Sequence, residues 1–97
     1  MKSRFDIEQL EDSTETLRAI AHPIRMTIID LLGKEERCSV TQIHEALDIE
    51  QAIASHHLRI LKGKKIVTVS REGKNSFYSL ADASFQEITK IVLSNHK

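Results

Sequence analysis

Only three residues, Asp48-Ile49-Glu50, separate two segments whose inward-facing side chains recur with the period of an α-helix. Val40, Ile43, Ala46 and Leu47 form the stripe before them, and Ile53, Ala54, His57, Leu58, Ile60 and Leu61 the stripe after. Such a connection is too short for anything but a tight turn, so the spacing is that of a helix-turn-helix. Two features are irregular: the turn has no glycine, and Glu50 stands where Ser or Thr would cap the second helix better.

With 3 Gly and 1 Pro, punctuation along the chain is sparse and informative. Ile7, Leu10, Leu17 and Ala21 mark a first amphipathic helix with a narrow stripe suited to pairing with another helix. Pro23 suits the first turn of a second helix and Gly33 its end, with Ile24, Ile28, Leu31 and Leu32 as the buried stripe. Ser39-Val40-Thr41-Gln42 is a capping box opening the third. After Lys62-Gly63-Lys64-Lys65 the pattern switches to β-branched and aromatic residues around Glu72-Gly73-Lys74-Asn75, which reads as a hairpin over Val67–Leu80. Phe85, Ile88 and Val92 then continue at helical spacing, with Asp82 or Ser84 as the cap.

At 97 residues the chain suits a single domain, expected over residues 1–97, and so small a core makes a partner subunit worth seeking. No apolar run approaches a membrane span, and the acidic start MKSRFDIEQLED lacks the regions of a signal peptide, so a cytoplasmic protein is expected. The single cysteine excludes an intrachain disulfide and any multi-cysteine metal site within one chain. The net charge of zero is segregated. Residues 1–50 hold 6 Lys/Arg against 11 Asp/Glu, whereas residues 51–97 hold 8 against 3. A basic half concentrated in one helix and one hairpin is the footprint that attracts phosphate.

On a helical wheel of about 100° per residue, Gln51, Ala52, Ser55, His56, Arg59 and Lys62 share the outer face, with no carboxylate among them. Amides and hydroxyls suit base edges in a major groove, which assigns reading to Gln51, Ser55 and His56. Arg59 and Lys62 suit phosphates. At the hairpin tip Arg71, Lys74 and Asn75 suit the backbone or the adjacent minor groove, Glu72 weakening the case, and Thr41 completes the expected DNA-binding set. Each feature also reads as a solvated surface, but the two in this order are more specific than either alone.

The stretches AHPIRMTIIDLL, IEQAIASHHLRILKGKKIV and REGKNSFYSL together resemble the ArsR family of bacterial winged-helix repressors, over about residues 15–82. The resemblance implies a mainly α fold with a β-hairpin wing, a winged helix-turn-helix of four helices, two strands and a fifth helix. It also implies a homodimer paired through terminal helices 6–21 and 83–95, with recognition helices in successive major grooves of a palindromic operator, and release by a metal or oxidant. The family's ligand positions are not filled. Ser39 and Thr41 stand where a Cys-x-Cys pair is expected, and Asp82, Ser84 and Asn95 leave one plausible ligand at the last helix.

The histidines supply no alternative ligand set. His57 belongs to the apolar face as a packed, hydrogen-bonded core histidine, His22 reads as a turn or cap residue, and His56 points the opposite way. His44 with Cys38 falls short of the three or four ligands zinc needs. No cofactor or metal is expected, and no inducer is named. Cys38 admits two readings: a hydrophobic staple to Ile43, or an oxidisable thiol at a helix start beside Arg37. No phosphate-binding glycine loop or catalytic triad spacing argues for an enzyme. The expected function is transcriptional regulation on duplex DNA, against a protein-interaction module on the same fold or a regulator without an inducer that competes with other DNA-binding proteins.

Overall fold

The computed structural model describes residues 1–95, so the last two positions of the expected 1–97 domain lie outside the described residues. The elements run α1 (Ile7–Ile20), α2 (Pro23–Lys34), β1 (Cys38–Ser39), α3 (Val40–Leu47), α4 (Gln51–Gly63), β2 (Val67–Glu72), β3 (Asn75–Leu80) and α5 (Ser84–Ser94). Five helices and the hairpin occur in the expected order. The addition is β1, which pairs antiparallel with β3 to make a three-stranded sheet of order β1-β3-β2. None of the described helices is long and apolar enough to cross a membrane.

Local chemistry accounts for most helix starts. In α3 the Gln42 backbone N–H donates to Ser39 Oγ at 3.1 Å and the Ser39 N–H donates to Gln42 Oε1 at 2.8 Å, the reciprocal capping box. Asp6 and Gln9 make the same box for α1. Pro23 occupies the first turn of α2, and His22 caps it by accepting the Ile24 N–H at Nδ1, 3.1 Å. Helix α4 has no side-chain cap at Glu50. At α5 the cap position is Ala83, not Asp82 or Ser84, although the Ser84 N–H donates to Asp82 Oδ1.

Two helix ends use the left-handed conformation without glycine. At the α3–α4 turn Asp48 takes φ 53°, ψ 50°, and the Ile49 N–H donates to His44 O at 3.0 Å. His44 Nδ1 lies 3.2 Å from Ile49 O, so both main chain and side chain of His44 hold the turn. Asp tolerates this conformation better than most residues, which explains the missing glycine. At the end of α4, Lys65 has φ 61°. Its N–H donates to Lys62 O at 3.0 Å and that of Ile66 to Leu61 O at 3.0 Å, a Schellman closure. Gly33 does not end α2; it lies inside the last turn, where the Gln86 side chain of α5 fills the space a Cβ would need.

The core unites α2 (Ile28, Ile29, Leu32), β1 (Cys38), α3 (Ile43), α4 (Ala54, Leu58, Leu61) and the entry to β2 (Ile66, Val67). Ile29 joins the stripe expected for α2, while Ile24 and Leu31 are only partly buried, because α2 is flanked by α1, α3, α4, α5 and β3 and buries more than one face. Ala46 is exposed rather than inward, and Ile53 is 38% exposed, each at the edge of its helix's buried stripe. In α1 the buried pair is Ala19 and Ile20; Ile7 and Leu17 face outward and Ala21 is an exposed cap.

Lys65 carries the larger conformational cost of the two left-handed residues, since a long side chain gains nothing there. Lys65→Gly is expected to raise unfolding stability by about 0.5–1 kcal/mol and Asp48→Gly by less, measured by urea denaturation. A loss of stability in Lys65→Gly would show that the αL geometry costs nothing at this end.

Candidate nucleic-acid interface

Helix α4 buries Ala54, Leu58 and Leu61 completely, and that fixes which residues face outward. Gln51, Ala52, His56, Arg59 and Lys62 are exposed, while Ser55 is half-buried on the flank of the face. Thr41 is exposed in the first turn of α3. Among the described residues, no ion pair engages Arg59, Lys62, Arg71 or Lys74, so these cations meet solvent uncompensated.

The hairpin leaves the end of α4 through Ile66, whose carbonyl also accepts the Ala81 N–H at 2.9 Å, so one buried residue ties helix end, strand start and strand exit. The β2–β3 register runs from Val67↔Leu80 to Glu72↔Asn75, leaving Gly73-Lys74 as a two-residue turn. Gly73 has φ 65° and Lys74 does not share a positive φ, the type II′ pattern that places glycine first. Arg71, Lys74 and Asn75 are all exposed at this tip.

Cross-strand partners share a sheet face. Cys38, Tyr78 and Val69 therefore lie on one side, and Ser39, Phe77 and Ser70 on the other. Glu72, two residues beyond Ser70, returns to the Phe77 side, where Arg37 forks onto it through both Nη atoms and sits 4.2 Å above the Phe77 ring. The pairing holds Arg37 further toward its charged form and draws the Glu72 carboxyl below its usual range. Arg37 is absent from the expected site, because it comes into play only once β1 joins the sheet.

The same strand settles where Cys38 points. Its side chain is 5% exposed within the core cluster that includes Ile43, and burial, then Glu35, pushes the thiol pKa up. An oxidisable thiol is helped by the opposite shift, and Arg37, the neighbour expected to supply it, is committed to Glu72, so the geometry favours the packed reading of Cys38. Among the described residues, no group of three or more His, Cys, Asp or Glu side chains is placed to hold a metal ion.

His57 is 8% exposed and its ring packs 4.4 Å from that of His22, but its Nδ1 has no hydrogen-bond partner. The expectation of a packed core histidine agrees with this burial, while no group among the described residues partners Nδ1, the ring lying against His22 and His56. The exposed His56 ring meets that of His57 edge-on at 5.0 Å.

A second surface is apolar. Ile7 and Leu17 on α1 and Ile91, Val92 and Leu93 on α5 are exposed, by 63%, 53%, 60%, 51% and 47% respectively. Between the two helices Leu17, Ile20, Ala21, Met26, Ile88, Thr89 and Val92 line an apolar cavity. So many large exposed apolar side chains on two helices mark an interaction surface.

Residues 22–69 match the model of the bacterial regulatory protein arsR family. The chain is 33% identical over 89 residues to the transcriptional repressor PagR of Bacillus anthracis, covering 92% of this chain and 89% of PagR. The PagR crystal structure aligns with a TM-score of 0.81 over 90% of this chain and 99% of that one. The chain belongs to the ArsR family. Over 75 residues this ArsR-family chain is also 41% identical to the transcriptional repressor SmtB of Mycobacterium tuberculosis, covering 77% of this chain and spanning 55% of the length of SmtB. The homodimeric winged helix-turn-helix DNA-binding domain of Mb0332 from Mycobacterium bovis aligns with a TM-score of 0.79 at 26% identity, over 97% of this chain and 88% of that one.

Burial, followed by His22, His56 and Arg25, holds His57 below the ordinary histidine range. The unfolded chain therefore takes up that proton first, so this contribution to stability is present above a pH of about 6.5 and is lost as pH falls toward the folded pKa. Melting scans at about pH 7.5 and about pH 5.5 are expected to show a larger drop for the wild type than for His57→Phe. Equal drops would show that His57 does not carry the pH dependence.

Proposed function

We propose that this chain is a sequence-specific, double-stranded DNA-binding transcriptional repressor that acts as a homodimer on a palindromic operator. The observation that carries this reading is the carboxylate-free outer face of α4, whose Arg59 and Lys62 are uncompensated, followed directly by a hairpin presenting Arg71 and Lys74. In this reading Gln51 and His56 read base edges in the major groove, with Ser55 reaching from the flank and Ala52 offering an apolar contact. Thr41, Arg59 and Lys62 hold the backbone, and Arg71, Lys74 and Asn75 bring the wing to phosphates or the adjacent minor groove.

The dimer follows from the apolar surfaces of α1 and α5, which a second copy covers, so that residues 1–97 work as one domain that both pairs and binds. The homodimeric state of the Mb0332 domain and the repressor names of PagR and SmtB support this assignment. Two half-sites about one helical turn apart, roughly 10 bp, fit the twofold arrangement. The protein works in the cytoplasm, where its operator is, and carries no catalytic role.

Affinity for a duplex selected from a randomised pool is expected to fall with salt, with a slope of log K against log[salt] of about −4 or steeper. Salt-independent binding would overturn the proposal. Against a panel of duplexes, Ser55→Ala or His56→Ala is expected to flatten sequence preference, whereas Lys74→Ala weakens all duplexes about equally. Matching profiles from these variants would remove the assigned roles.

Light scattering on a sizing column should give a dimer for the wild type and a monomer for Leu17→Glu/Ile91→Glu. A monomeric wild type at micromolar concentration would refute the two-half-site arrangement.

A further inference from the structure

The wing, residues 67–80, carries one carboxylate, Glu72, between the cations Arg71 and Lys74. Left free, that charge would stand at the tip that the proposed function brings to phosphates and would repel them. It is not free. The Arg37 guanidinium donates from Nη1 to Glu72 Oε2 and from Nη2 to Glu72 Oε1, and lies 4.2 Å above the Phe77 ring of β3. One side chain from the segment before β1 thus reaches both strands of the hairpin.

The geometry of this contact is specific. A bidentate fork adds geometric specificity that a single ammonium contact lacks, and the Phe77 ring beneath the guanidinium adds a second contact to the same side chain. Glu72 is the last residue of β2, immediately before the Gly73-Lys74 turn, so the fork grips the hairpin at its distal end. The grip comes from the connection that leads through Ser39 into α3, the first helix of the helix-turn-helix. The rest of the hairpin is held separately, by Ile66 at the end of α4 and by the pairing of β1 with β3.

We propose that Arg37 is a positioning residue of the wing: beyond the β1–β3 pairing, it steadies the distal end of the hairpin against the helix-turn-helix and cancels the one carboxylate that opposes DNA. This rests on the DNA-binding reading above. Arg37 itself need touch no nucleotide. Both side chains are about half exposed, so the pair contributes little to the stability of the domain, and its consequence lies in what the wing presents.

The test compares wild type, Arg37→Ala, Glu72→Gln and Arg37→Ala/Glu72→Gln on one selected duplex by fluorescence anisotropy, with melting curves and backbone amide relaxation at Gly73 and Lys74. Arg37→Ala is expected to weaken binding by about three- to tenfold at moderate salt, because it both frees the carboxylate and loosens the wing. Adding Glu72→Gln should recover part of that loss by removing the charge, while Gly73 and Lys74 stay more mobile than in the wild type in both variants lacking Arg37. Melting temperatures should change little across the set.

Binding by Arg37→Ala within twofold of the wild type would overturn the proposal. So would a loss that Glu72→Gln leaves uncorrected, or unchanged order at Gly73 and Lys74. A wild type that binds no duplex would instead bring down the DNA-binding reading, which keeps the two failures distinct.

Discussion

Everything functional on this molecule is oriented by the burial of one side of α4. Ala54, Leu58 and Leu61 are sealed in a core with Ile28 and Ile29 from α2, Ile43 from α3 and Ile66 and Val67 at the start of the hairpin. Each large aliphatic side chain removed from water contributes about 1.5–3 kcal/mol, and a domain's net stability is only about 5–15 kcal/mol, so no alternative rotation of α4 competes. Turning the helix to bury its polar face would strand the guanidinium of Arg59 and the amide of Gln51 without partners. The outward face is therefore fixed by the inward one.

Two devices convert that fixed helix into a surface with a defined shape. The turn before it is closed by Asp48 in the left-handed region and by the double pairing of His44 with Ile49, which sets the angle of α4 to α3. The Schellman closure after it, through Lys65 and Ile66, aims β2 away from the helix end. Charge follows the same division. Acidic residues populate α1, where Glu15 meets Lys64 at 3.5 Å just past the end of α4, while the cations of α4 and the wing tip are left to solvent. A neutral chain thereby presents a positive face.

The helices were legible because their signals are local. The Ser39 capping box, Pro23 at a helix start and the 3.6-residue stripes each depend on residues within a turn or two of one another. The hairpin was legible for the same reason, down to its ends at Val67 and Leu80. Strand β1 was not: two residues have no periodicity, and Cys38-Ser39 becomes a strand only because β3, 40 positions away in the register Cys38↔Tyr78, offers an edge to pair with. What was left open by missing it shares that cause. Cys38 left a redox reading open beside the packed one until its sheet face was known, and Glu72 weakened the case for the wing until Arg37 was found on it.

By itself, the sequence determined the number, order and approximate limits of the helices, the position of the helix-turn-helix and the set of side chains on the outer face of α4, since backbone propensity and hydrophobic period act over short distances. Tertiary structure alone decided which of several apolar stripes is core and which is surface. Ile7 and Leu17 read as part of a helical apolar stripe just as Ile28 and Leu32 do, yet they stand exposed while α1 gives Ala19 and Ile20 to the core. It also decided the state of His57, Cys38 and Glu72, because the charge and hydrogen bonding of a side chain are set by neighbours that the order of residues does not reveal.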